Sequence, residues 1–147
     1  MKAVVQKVSK AEVTINNETT GAIETGLVVL LGIGKEDDQA DADYLAKKII
    51  NLRIFEDENQ KMNLSLSDVN GELLVVSQFT LFADCRKGSR PSFFDAAPPE
   101  KAEKLYLYFL DRAREKGVTV KTGKFKTMMK VSLINEGPVT IILDTKN

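Results

Sequence analysis

Two polar stretches carry the groups that could do chemistry. Ser77-Gln78-Phe79-Thr80 directly follows the apolar run Leu73–Val76 and places two hydroxyls and an amide within four residues. At the end of a buried strand, backbone N–H groups can be left free to bind an oxyanion. The same hydroxyls could equally satisfy nearby backbone groups. Thr80 as a nucleophile would need a base to take its proton. The chain has no histidine, and the nearest ionisable groups in sequence, Asp84 and Lys87, form no recognisable motif. The second stretch, Asn135-Glu136-Gly137-Pro138-Val139-Thr140, lies between the β-branched runs Met129–Ile134 and Val139–Leu143. A Gly-Pro pair between two strands is a backbone device, since glycine reaches dihedrals closed to other residues and proline fixes φ. Taken alone, these six residues predict an ordinary trans hairpin turn, because few X–Pro bonds are cis. The alternative is that the two carbonyls flanking Pro138 are aimed at a ligand.

The composition removes several kinds of chemistry. With no histidine and one cysteine, Cys85, there is no Ser-His-Asp or Cys-His mechanism, no histidine-ligated metal and no thiolate zinc site within the chain. Cys85 stands beside Arg86 and Lys87, which could lower its pKa, but a lone exposed cysteine is more often incidental. The charge is balanced, 21 basic against 21 acidic residues, so nothing pulls the whole molecule toward nucleic acid. Local basic patches exist: Lys121, Lys124, Lys126 and Lys130 in one stretch without acidic residues, and Arg86, Lys87 and Arg90 in another. Such runs are usually solvated faces. No apolar run approaches the roughly 20 residues that cross a bilayer. Met1–Gln6 lacks the pattern of a signal peptide, which predicts a cytoplasmic protein.

The elements that must position these residues follow from periodicity. Val4, Val5, Val8, Val13 and Ile15 predict two short strands or one long bent strand, and Asn16-Asn17-Glu18 a hairpin returning through Thr19–Ile23. Leu27–Ile33, continuously apolar, predicts a strand buried on both faces. Asp37 or Asp38 caps a helix whose stripe is Ala42, Leu45, Ala46, Ile49 and Ile50. Arg53-Ile54-Phe55 and Glu72–Ser77 read as strands, with Asn70-Gly71 a turn before the latter. Phe82 to Pro98 is a long loop, of a length that is usually functional or mobile. Pro98-Pro99-Glu100 opens a second helix with the stripe Ala102, Leu105, Tyr106, Phe109, Leu110 and Ala113, and Gly117 ends it. Val118-Thr119-Val120 is a further strand. This order gives a single domain over 1–147 of the α+β class: mixed β-sheets packed with two amphipathic helices on one face. Gly32-Ile33-Gly34 is no dinucleotide fingerprint, since it lacks a third glycine and is followed by acidic residues.

Taken together, the two polar motifs resemble the paired signatures of the D-aminoacyl-tRNA deacylase (D-tyrosyl-tRNA deacylase) family. The resemblance extends over essentially the whole chain, through Val4–Val8, Asn51–Phe55, Lys61–Leu64, Gly88–Phe93 and Val131–Leu133. It implies a three-layer ββα homodimer that hydrolyses the ester between a D-amino acid and tRNA, and clears mischarged glycyl-tRNA, without metal or cofactor and with no membrane or DNA partner. On this resemblance Ser77, Gln78, Phe79 and Thr80 are the catalytic wall. Gly137 and Pro138, joined by a cis bond, enter from the other subunit and select chirality with their carbonyl oxygens. Phe125 and Met129 meet the terminal adenosine, and Lys124 and Lys126 the phosphates. It further implies that the terminal ribose 2′-hydroxyl assists the attacking water, which would account for the missing histidine. The chain departs from the family pattern at Lys7, usually arginine, at Glu136, a common aspartate, and across Phe125–Lys130. The competing readings are a small-ester hydrolase using Thr80 or Cys85, and a non-catalytic tRNA-binding module.

Overall fold

The computed structural model describes all of Met1–Asn147. The long bent strand is one element, β1 (Lys2–Ile15). Asn16 and Asn17 both take positive φ, 50° and 64°, as a tight I′-type hairpin requires. The chain then returns as β2 (Glu18–Ile23) and, past Glu24-Thr25, as β3 (Gly26–Gly32). These two act as one continuous antiparallel partner: Ala11 faces Ile23, Val8 faces Gly26 and Lys2 faces Gly32 in a single register.

Helix α1 (Gln39–Asn51) is capped by Asp38, whose carboxylate accepts the N–H groups of Ala40 and Asp41 at 2.9 and 3.2 Å. Asp41 answers by accepting the Asp38 N–H at 2.9 Å, so the first turn is closed from both sides. Asp37 is not the cap. It is buried, accepting the Gly34 N–H at 2.6 Å and the Met1 amino group at 2.5 Å. After α1 come the short pair β4 (Phe55–Glu56) and β5 (Met62–Leu64), then β6 (Glu72–Ser77), parallel to β3 with Leu31 opposite Ser77. A 3₁₀ turn over Phe79–Phe82 follows, and helix α2 spans Pro99–Glu115. Gly117 takes φ +82° past its end, as expected of a helix-terminating glycine. Strand β7 (Val120–Thr122) starts two residues later than its apolar pattern predicts; Val118 and Val120 both pack in the core, and Thr119 accepts the Leu73 N–H at 2.9 Å just ahead of the paired residues.

The last strand corrects the expectation of a C-terminal hairpin. Residues 130–144 form one strand, β8 (Lys130–Asp144), antiparallel to β1 from end to end. Thr14 faces Lys130 and Lys10 faces Ile134, but Gln6 faces Thr140 and Lys2 faces Asp144. Between them β8 gains two residues on β1, and Gly137-Pro138 sits at the apex of that bulge with its peptide bond cis. The trans turn predicted from the six residues alone is therefore wrong on both counts. Local propensity could not distinguish a turn from a bulge, since the partner is β1, over a hundred residues away. The strand also changes face across the slip: Leu133 packs with Val8, Ala11 and Val13, whereas Val139, Ile141 and Leu143 pack against the main core on the other face.

The sheet order β2-β1-β3-β6-β7, with β8 on the free side of β1, curls toward a barrel. Gly21 lies so close to the Thr122 backbone that a side chain there would collide with it. Alternate residues of β3 and β6 serve two interiors. Leu27, Val29, Leu31, Leu73 and Val75 join both helices in the main core. Val28, Leu74 and Val76 form a smaller cluster with Val8, Ala11, Val13 and Ile23. The doubly buried strand, the mixed sheet and the two helices read from the sequence are all present.

Candidate functional site

β6 delivers Ser77 to the rim of the sheet, where the chain leaves the ladder. The Gln78 N–H donates to the Leu31 carbonyl at 2.8 Å, tethering the exit to β3. The chain then tightens into the 3₁₀ turn, held by Leu81 N–H to the Gln78 carbonyl at 3.2 Å and Ala83 N–H to the Thr80 carbonyl at 3.0 Å. The first N–H groups of such a turn have no carbonyl partner within it. Those of Phe79 and Thr80 donate in none of the surrounding loop and cap bonds. Two adjacent N–H groups free of such bonds at a fixed strand end can bind a carbonyl oxygen that is gaining charge.

The Gln78 side-chain amide donates to the Thr80 hydroxyl oxygen. That contact holds the hydroxyl in place but cannot take its proton, and no carboxylate or amine accepts from it. Phe79 projects from the turn, half-exposed, with its ring edge-on to Phe93 at 5.0 Å between centroids. Phe93 comes from the long loop after the turn, which is tied down rather than loose. Asp84 and Ser92 exchange backbone hydrogen bonds of 2.7 and 3.0 Å, and Ala97 N–H reaches the Ile33 carbonyl at 2.9 Å. Arg86 folds back on Asp84 at 2.6 and 2.9 Å, holding that carboxyl well below the usual range. Arg86 is thus paired within the loop, whereas Lys87 and Arg90 make no ion pair.

Phe125 and Met129 lie on the connection between β7 and β8, half-buried, each against a different core cluster. The Met129 sulfur accepts the Lys124 N–H at 3.4 Å. Lys124 and Lys126 are exposed, and Lys126 has φ +56°. Phe125 packs beside the ring of Tyr106, with centroids 5.9 Å apart. The buried Tyr106 hydroxyl donates to the Val75 carbonyl at 3.0 Å, and burial pushes its pKa up to about 12. Tyr106 therefore ties the Phe125 loop to the strand that ends in Ser77. The sequence presented it only as part of a helical stripe, and a polar tip in an apolar stripe is the one sign that could have marked it.

Gly137-Pro138 is exposed on β8, framed by Asn135 and Thr140 of the same stretch, to which the sequence assigned no role, and by Gln6. Asn135 accepts the Val139 N–H at 3.3 Å and donates to the Thr140 hydroxyl at 2.9 Å, and Gln6 donates to the same hydroxyl at 3.4 Å. The bulge does not share a pocket with the Ser77–Thr80 turn of its own chain. From β8 to β6 is three strand spacings, and from the level of Ala3, which registers with Ser77 through Leu31, to that of Lys7 is four residues. The two features are then roughly 14 Å apart across the sheet and roughly 13 Å apart along it.

The turn after β6 thus combines two N–H groups free of loop and cap bonds with a hydroxyl fixed by an amide, groups of a kind that can hold a carbonyl oxygen. Comparisons with known proteins place the whole chain in a class of hydrolases. The family model described as D-Tyr-tRNA(Tyr) deacylase matches residues 4–144. D-aminoacyl-tRNA deacylases from Thermosipho africanus and Clostridioides difficile are 58% and 60% identical, over 99% of this chain and 98% and 97% of theirs. A solved structure titled c-Myc DNA Unwinding Element Binding Protein superposes with a TM-score of 0.93 at 46% identity, covering 99% of both chains. That of a probable eukaryotic D-amino acid tRNA deacylase does so with 0.83 at 16%, covering 97% of both, which speaks to the fold alone. The chain belongs to the D-aminoacyl-tRNA deacylase family. It is a hydrolase of the ester bond of D-aminoacyl-tRNA, and binding tRNA follows from that substrate. No helix is long and apolar enough to cross a membrane.

Proposed function

We propose that two copies of this chain build the active site together: Ser77–Thr80 of one copy hold the ester, and Gly137 and Pro138 of the other judge its handedness. The observation that supports this reading is the separation of the two features within one chain, three strands apart across the same sheet. The surface between copies has the character such a reading needs. β8 pairs only with β1, so its outer edge is free along the whole strand. Around it Val131, Ile134 and Ile142 are exposed, Ile142 to 76%. Long apolar edges of this kind are normally covered.

The chemistry follows from the groups present. Water attacks the ester carbonyl, and the N–H groups of Phe79 and Thr80 hold the resulting oxyanion. The tetrahedral species expels the ribose 3′-oxygen, which leaves with a proton, giving free amino acid and free tRNA. Thr80, pinned by the Gln78 amide, orients the ester and does not attack. The adjacent 2′-hydroxyl of the substrate assists the water, so the protein needs no histidine. An L-amino acid carries its side chain where a D-amino acid carries hydrogen. Rigid carbonyls at that point exclude the former by collision and accept the latter. Glycine presents only hydrogen, so glycyl-tRNA is a substrate by the same geometry. Phe125 and Met129 contact the terminal adenosine, with Lys124 and Lys126 near its phosphates. No metal or cofactor is required, and the place of action is the cytoplasm.

The test is deacylation of matched D-, L- and glycyl-tRNAs by the purified protein, then complementation. Phe79→Pro removes one oxyanion donor at a first-turn position where proline fits; a variant lacking Gly137-Pro138 removes the selector. Each is inactive or unselective alone. In a symmetric dimer a mixture regenerates one intact site per mixed pair, about a quarter of wild-type selective activity. No recovery on mixing, or a monomer with full selectivity, refutes the shared site. An aminoacyl adduct on Thr80 refutes the mechanism.

A further inference from the structure

The Gly137-Pro138 bulge is the part of the molecule whose shape is least explained by ladder bonding. Pro138 has no N–H to give, and five residues, Asn135 to Val139, pass where the register to β1 slips. One side chain spans that gap. The Asn135 carbonyl oxygen takes the N–H of Val139, the first residue beyond the Gly-Pro pair, at 3.3 Å. Its NH₂ group gives a hydrogen to the Thr140 hydroxyl at 2.9 Å, and the same hydroxyl is held from β1 by Gln6 at 3.4 Å. A single amide thus closes the bulge between its entry and exit, and a second amide anchors that closure to the neighbouring strand.

We propose that Asn135, through Thr140, is a positioning residue that sets where the Gly137 and Pro138 carbonyls point, and so sets the discrimination between D- and L-substrates. This rests on the reading that those carbonyls select chirality. The chemistry of the amide suits the task, since it accepts and donates at one end. Leucine, of similar shape, could do neither. Aspartate could accept from Val139 and, if Thr140 turned its own hydroxyl hydrogen toward it, keep the second contact. The selecting oxygens need stiffness more than affinity, because an L side chain is excluded only if they cannot yield. Asn135 touches neither the ester nor the Ser77–Thr80 turn, so losing it affects selectivity before turnover.

The experiment measures kcat/KM for D- and L-aminoacyl-tRNA in wild type, Asn135→Leu, Asn135→Asp, Thr140→Val and Thr140→Ser, alongside thermal unfolding. Thr140 is exposed, so its variants fold even if a change at Asn135 does not. The expected result is a D-to-L ratio at least tenfold lower in Asn135→Leu, through faster L-hydrolysis. A smaller fall in the same direction is expected in Thr140→Val, with near-wild-type ratios in Asn135→Asp and Thr140→Ser. An unchanged ratio in Asn135→Leu and Thr140→Val overturns the inference. So does an equal loss of both activities that tracks a lower Tm, which marks a merely structural role. If wild type itself does not separate D from L, the parent reading fails and takes this one with it. The wild-type control therefore tells the two failures apart.

Discussion

Replacing Gly137 with alanine tests the backbone of the bulge directly. Gly137 has φ +124°, a region that side chains of L-residues rarely enter. A Cβ built there would stand 2.8 Å from Val139 Cγ2 and 3.1 Å from the Val139 nitrogen. Val139 cannot easily yield, since it packs against the main core from the half-buried side of β8. Holding alanine in such a conformation costs about 1–3 kcal/mol. For a chain of this size that corresponds to a Tm lower by roughly 3–10 °C.

The variant has two ways out, and a pair of assays separates them. If the bulge keeps its shape, Tm falls by the full amount and L-aminoacyl-tRNA is still refused. If it relaxes toward negative φ, the Tm loss is smaller, but the two carbonyls turn with the backbone. L-substrate is then hydrolysed, and the turnover of D-substrate falls as its pocket changes shape. The measurements are thermal unfolding and deacylation rates for D-, L- and glycyl-tRNA, made on the same preparation. A variant that matches wild type in both Tm and D-to-L ratio refutes the reasoning, for alanine would then fit without cost.

Three other outcomes are expected. Asp37→Asn leaves the buried Met1 ammonium without its counter-ion at 2.5 Å, so stability falls by about 3–5 kcal/mol; an unfolding curve superimposable on wild type contradicts this. Tyr106→Phe tests the buried phenol, whose pKa is raised from 10.0 to about 12 by burial. Because the folded state favours the neutral form, that contribution is whole below pH 10 and fades as the pH rises through 12. Wild type should lose stability relative to the variant across that window, and parallel alkaline profiles would exclude it. Neutralising Lys124 and Lys126 to glutamine should reduce the slope of log affinity for tRNA against log salt by about 1–2 if both meet phosphates; binding measured at several salt concentrations with an unaltered slope removes them from the interface.

What could be read in the sequence follows the range of the interactions involved. The α1 stripe, the Asn16-Asn17 hairpin, the Gly117 stop and the doubly buried β3 are set by neighbours within a turn or two, and each is where its pattern puts it. Asp38 rather than Asp37 caps α1 because the latter is claimed by Met1 at the start of the neighbouring strand, 36 residues earlier, a contact no local pattern announces. The same reason hid the bulge: its shape is a register slip against β1, and the six residues spell only a Gly-Pro turn. Ser77–Thr80 was visible as a polar end to an apolar run. The shape of the turn that follows depends on the Leu31 tether, and the Tyr106 link behind it joins a helix to a strand some thirty residues earlier.

An edge strand suits the placing of a selector because it can be deformed without breaking the core. In β3 or β6 a two-residue insertion would disturb ladders on both sides and two buried faces. In β8 it disturbs one ladder, and apolar residues on both sides of it, Leu133 before and Val139, Ile141 and Leu143 after, still reach buried clusters. The same position leaves the bulge on an open edge, three strands from the Ser77–Thr80 turn. On the proposed reading the catalytic turn and the selector can stand three strands apart in one sheet because a twofold assembly reunites them. A single chain then carries the hydrolytic groups without the means to choose a substrate. If a monomeric variant, made by placing charges at Ile134 and Ile142, hydrolyses D-aminoacyl-tRNA but no longer refuses L, that division is correct. If it keeps full selectivity, the selector must reach its ester within one chain, and the separation estimated from strand spacing must be closed by curvature of the sheet.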